Sequence, residues 1–191
     1  MAGPHQAVQL KTASCCSLAI GGFPRFRYDA SGGGGTGLLL PLDSQGRRPL
    51  QLPAGGLRIP PLNGRTGRFL GLPLPPGLQI QIVPQRLEGW LDPASGAVQL
   101  HFQARFLFRA SRWYQAPPLW VDTLLTSAAP AVPVPERWGS VEGQARDPDG
   151  GALTLVGVAP VPPSGDRWFD NFLGLPSEAL ALLRCQLVWG A

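Results

Sequence analysis

Val98-Gln99-Leu100-His101-Phe102-Gln103-Ala104-Arg105-Phe106-Leu107-Phe108 carries the clearest structural pattern in the chain. Val98, Leu100, Phe102, Ala104, Phe106 and Phe108 alternate with Gln99, His101, Gln103 and Arg105. A period of two puts one face in a core and one in water, as on a β-strand. A helix would scatter the same apolar side chains around its circumference. Burying them contributes very roughly 10 kcal/mol, and ordering the segment costs a similar amount. The strand therefore needs partners from the rest of the chain.

Those partners are legible on both sides. Leu78-Gln79-Ile80-Gln81-Ile82-Val83 alternates in the same way, and Asp92-Pro93-Ala94-Ser95-Gly96 reads as a turn. Residues 78–91 and 97–108 thus read as a long hairpin, kinked near Pro84. Further strands are expected at 15–20, 23–28 and 119–126. A second hairpin is expected from 137–146 and 152–161, joined by Asp147-Pro148-Asp149-Gly150-Gly151. Leu153-Thr154-Leu155-Val156-Gly157-Val158-Ala159 reads as buried on both faces. Helical signals come late, a short one at 166–173 and another at 177–183, where Ser177 is a candidate N-cap before an acidic first turn. A last strand would place Cys185, Leu187 and Trp189 on one face. The expected fold is mainly β, an antiparallel barrel or sandwich with one or two short C-terminal helices. Residues 1–14 read as a flexible tail and 15–191 as a single domain.

Composition agrees with many turns. The 191 residues include 25 Gly and 22 Pro, which punctuate short apolar runs. Charged residues are only 15%, and the net charge is +4. Ser31 to Gly37 is glycine-rich, but no lysine or helix start follows it, so it reads as a linker and not a phosphate loop. Cys15, Cys16 and Cys185 form no disulfide framework. No apolar run reaches the roughly 20 residues of a membrane-spanning helix, and the start lacks the pattern of a secretory signal. A cytoplasmic location is expected.

No motif for catalysis stands out. His5 and His101 are far apart in sequence, and Cys15-Cys16 lacks CxxC spacing, so neither a metal nor another cofactor is implied. Asp166 and Asp170 lie one helical turn apart. A small enzyme using Asp166, Asp170 or His101 is therefore an alternative, against a reading in which Asp166 caps a helix and Asp170 is solvated or pairs with Arg167. Arginine and aromatics interleave at Arg25-Phe26-Arg27-Tyr28 and at Arg105, Arg109, Arg112, Trp113 and Tyr114. That mix can bind single-stranded nucleic acid, although the charge is spread along the chain and supports this only weakly.

Proline-broken apolar segments are the stronger clue. Phe69-Leu70-Gly71-Leu72-Pro73 recurs as Phe172-Leu173-Gly174-Leu175-Pro176. Such segments either plug barrel ends or mark a ligand or partner surface. Candidate contact residues are Phe69, Leu70, Leu72, Arg109, Arg112, Trp113, Tyr114, Phe172, Leu173 and Leu175.

The run Leu87-Glu88-Gly89-Trp90-Leu91-Asp92, with Gly96, Leu100, Phe102, Ala104-Arg105-Phe106, Tyr114, Ala116-Pro117-Pro118-Leu119 and Thr123-Leu124-Leu125-Thr126, resembles uncharacterised proteins of cyanobacteria and chloroplasts. The tail with Leu155-Val156-Gly157-Val158-Ala159, Phe172-Leu173-Gly174-Leu175-Pro176, Ala179-Leu180-Ala181 and Cys185 resembles them too, so that the likeness spans about residues 86–186. The resemblance implies a role beside photosynthetic membranes, peripheral to a thylakoid. The functional expectation is a non-enzymatic carrier or assembly factor that binds a lipid or pigment, or the surface of a photosynthetic membrane protein complex, with peripheral membrane contact.

Overall fold

A computed structural model describes residues 5–190. Thirteen strands form one antiparallel sheet: β1 (Gln6–Thr12), β2 (Cys16–Ile20), β3 (Phe26–Tyr28), β4 (Gly34–Leu39), β5 (Arg48–Gln51), β6 (Gly67–Phe69), β7 (Leu72–Pro73), β8 (Leu78–Leu91), β9 (Val98–Ala110), β10 (Tyr114–Gln115), β11 (Leu119–Thr126), β12 (Ala152–Val161) and β13 (Ser177–Trp189). One short helix, α1 (Arg167–Leu173), precedes β13. The long alternating segments behave as their pattern dictates. β8 and β9 pair along their whole length, with a register shift between Pro84 and Arg86. That bulge is the physical form of the expected kink, because proline cannot donate to the ladder.

The pairing path runs β1-β4-β5-β8-β9-β11-β12-β13 and returns to β1, so the sheet closes on itself. Closure covers most strand edges, although β11 and β12 pair only through Thr126 and Val156, and β7 and β10 each have a single neighbour. The five strands β8, β9, β11, β12 and β13 form a common wall that two different sets of short strands complete. At one end β1 pairs with residues 185–189 of β13, and β5 pairs with residues 88–91 of β8. At the other end β2 pairs with residues 179–182 of β13 and continues through β3 to β6. A bridge from Leu62 to Ile80 ties that flank back to β8.

The first end is packed solid. Val8, Leu39, Leu50, Leu91, Leu100, Leu155 and Leu187 interdigitate there with almost no exposure. Outside the wall, the chain between β11 and β12 crosses β12 and buries Trp138 and Val141 against Val156, Val158 and Leu180. This cover explains why β12 is apolar on both faces. Trp138 also donates its indole N–H to the Phe23 carbonyl at 2.9 Å, which ties the crossing segment to the β2–β3 loop.

Four expectations need correction. Residues 6–12 are not a loose tail but β1, with Val8 and Leu10 inward; residues 1–4 of that expected tail lie outside the described residues. The glycine-rich segment is not a linker, since most of it is β4. The Gly34 and Gly37 Cα atoms approach neighbouring backbone so closely that an added Cβ would lie 2.0 Å from the Leu10 carbonyl oxygen and 2.2 Å from that of Gln51. Residues 177–183 are strand, not helix, because two-sided pairing with β12 and β2 outweighs the helix propensity of Ala and Leu. Residues 137–146 hold only a short 3-10 turn (Glu136–Trp138) and a bridge from Gln144 to Thr154, so the second hairpin is vestigial.

Candidate functional site: an apolar cavity beneath the short helix

The inward row of β12 and β13 changes character along the barrel. At the solid end Leu153 stands opposite Cys185, and Leu155 opposite Leu183. Further along, Gly157 pairs with Ala181 and Ala159 with Ala179. These four form a patch of minimal side chains. Across the interior they face Phe102, Phe106 and Phe108 of β9, with Leu18 and Ile20 of β2 and Leu119 and Val121 of β11 completing the wall. Large residues on one wall do not compensate for missing volume on the other, and a cavity of about 290 Å³ remains.

Its chemistry is uniform. Thr123 supplies the single hydroxyl of the lining, and that group donates to the Val158 carbonyl at 3.0 Å. The cavity therefore offers no free hydrogen-bonding group, and burying a polar ligand atom there would cost several kcal/mol. It suits hydrocarbon.

The mouth is aromatic. Phe69 packs on Phe23 at 6.2 Å between centroids, Phe23 on Phe172 at 5.3 Å, and Phe172 stacks on Trp168 at 5.4 Å. Trp168 then meets Tyr114 edge-on at 5.1 Å. Helix α1 supplies Phe169 and Leu173 to the core and leaves Trp168 and Phe172 half out in solvent. Asp166 fixes its start, accepting from the amides of Trp168 at 2.9 Å and Phe169 at 3.0 Å. The Tyr114 hydroxyl also donates to Asp166, at 2.9 Å. The Phe169 amide first, and that hydroxyl next, hold Asp166 below the usual carboxylate range. Desolvation, followed by the bond to Asp166, pushes Tyr114 up to about 12.

The candidate residues fall unevenly on this site. Phe69, Phe172 and Leu173 line the cavity, and Leu175 packs beside it. Leu70 and Leu72 sit on the tip of the β6–β7 hairpin, 74% and 69% exposed, and Trp113 is 86% exposed in the turn after β9. Tyr114 braces the helix. Arg109 and Arg112 are exposed, with Arg112 over the Trp113 ring. The two Phe-Leu-Gly-Leu-Pro copies fold differently, one as a hairpin tip and one as a helix end with Gly174 left-handed. Both nevertheless deliver a phenylalanine to Phe23.

The alternative catalytic groups do not converge. His101 lies on the outer face of β9, where its Nε2 is 2.7 Å from Asp122. Hydrogen bonding from Gln103, then from His101, holds the Asp122 carboxyl low. Asp166 caps α1, and Asp170 accepts from Ser164 Oγ at 2.6 Å and the Ser164 amide at 2.7 Å, not from Arg167. Phe26 and Tyr28 turn inward against the core, which removes them as stacking partners for bases.

Comparison with protein-family models, curated proteins and solved structures found no match.

Sequence reading placed Phe102, Phe106 and Phe108 inward but did not mark them as cavity wall. Nor did it single out Phe23, Ala179 or Ala181 as site residues. A signal existed in the run Gly157, Ala159, Ala179 and Ala181, whose inward side chains shrink together once the two strands are set in register.

Proposed function

We propose that this chain is a non-enzymatic accessory protein that carries a hydrophobic ligand inside the barrel. The observation that carries the reading is the patch of Gly157, Ala159, Ala179 and Ala181 facing three phenylalanines across an apolar void. A volume of about 290 Å³ lies at the lower edge of the roughly 300–1,000 Å³ typical of ligand sites. It fits one hydrocarbon chain or a small apolar ring, such as the tail of a lipid or of a pigment, with any polar head left at the aromatic mouth. The setting we propose is a photosynthetic membrane, with the protein peripheral to it, as the resemblance read from residues 86–186 implies.

The test is titration of solvent-extracted, refolded protein with a fluorescent polyene fatty acid. Saturable binding of one molecule per chain is expected, displaced by unlabelled fatty acid. Ala181→Phe places a ring in the void opposite Phe102 and Phe106 and should abolish that binding while the circular dichroism spectrum is kept. Equal binding by the variant, or none by the parent protein, would contradict the carrier reading.

A further inference from the structure

Several of the most exposed large apolar side chains gather together, although Leu42 and Trp120 lie on other parts of the barrel. Trp113, Leu70 and Leu72 are the most exposed of them; Leu70 and Leu72 follow the cavity-lining Phe69, Trp113 lies in the turn after β9, and half-exposed Trp168 and Phe172 belong to α1 above the cavity. A chain of ring contacts runs from Phe69 through Phe23, Phe172 and Trp168 to Tyr114, and Leu70, Leu72 and Trp113 flank its two ends in the sequence. A contiguous apolar rim of this kind marks a docking surface.

Charge decides the occupant. Arg25, Arg109, Arg112 and Arg167 stand exposed on the loops and strand end around that rim, and none forms an ion pair among the described residues. Of the acids nearby, Glu178 is paired with Arg137 at 2.7 Å, while Asp166 and Asp170 are held by neutral donors and keep their charge, so the four arginines outnumber the two unpaired carboxylates. Free cations interleaved with Trp and Leu match an interface of anionic headgroups over acyl chains. We propose that this end of the barrel docks on an anionic lipid bilayer, with the cavity opening directly onto the acyl region. The proposal gives the carrier reading a route of loading but stands on different residues.

The experiment is co-sedimentation of the full chain with vesicles of phosphatidylglycerol and phosphatidylcholine, against vesicles of phosphatidylcholine alone. Binding to the anionic vesicles is expected, weakening as salt rises. The pair Leu70→Asp and Leu72→Asp should lower the partition by about tenfold or more, and Arg112→Ala and Arg167→Ala by about fivefold each at low salt. Ala181→Phe should bind vesicles like the parent chain, which separates docking from ligand carriage. No partition onto anionic vesicles at low salt overturns the proposal. So does partition that the Leu70 and Leu72 changes leave untouched, and so does capture of the rim by protein partners with lipid ignored.

Discussion

Gly157, Ala159, Ala179 and Ala181 leave space that leucines would fill, and leaving it costs stability. A sparsely packed spot of about 290 Å³, beside a solid core of leucines and valines, argues that the space serves occupancy. Ala181→Phe should accordingly raise the thermal midpoint of the ligand-free protein as it removes binding. The cysteines test the packing at the same scale. Burial drives the Cys185 thiol up to about 12 and raises Cys16, whereas a hydrogen bond from Arg27 lowers exposed Cys15. At mildly alkaline pH one thiol per folded chain should react with an aromatic disulfide reagent, and Cys15→Ser should abolish that reaction. Rapid modification of Cys185 in the folded protein would mean that the solid end of the barrel is open.

Among the elements, β4 carries the closure of the barrel. Gly37 lets β4 approach β5 to the point where any Cβ would collide with the Gln51 carbonyl, and Leu38 and Leu39 pair with Gln51 and Leu50. Gly37→Ala should therefore destabilise the fold by about 1–3 kcal/mol, as overpacking does, measurable by urea denaturation. An unchanged midpoint would show that the strand does not sit where described. The same element shows why some of the fold could not be read from the chain. Alternation in β8, β9 and β11 announces a half-buried strand, so those were legible. In Ser31 to Gly37 the decisive property is close backbone approach, which composition alone reads as flexibility. In β13 both faces are apolar, Leu180 and Leu182 outward under Trp138 and Ala179 and Ala181 inward, so the period of two disappears and helix-favouring Ala and Leu dominate. Val8 and Leu10 did alternate with Gln9 and Lys11, and β1 was there to be found.

For the molecule as a whole, two sets of short strands complete one wall of five long ones, and the barrel is filled at one end and hollow at the other. The candidate rim residues were visible as exposed-looking apolar segments, but the cavity was not, because it depends on cross-strand register. Leu155 opposite Leu183 and Gly157 opposite Ala181 differ by only two residues along the same strands, yet one pair fills the interior and the next opens it. The most direct test is a crystal of the protein soaked with a bromine-tipped fatty acid and recorded at the bromine edge. An anomalous peak is expected inside the barrel, between Phe102, Phe106 and Ala181, with the carboxylate at the Phe23 and Phe172 mouth. Bromine found only on the outer surface, or ordered water filling that space, would contradict the carrier reading.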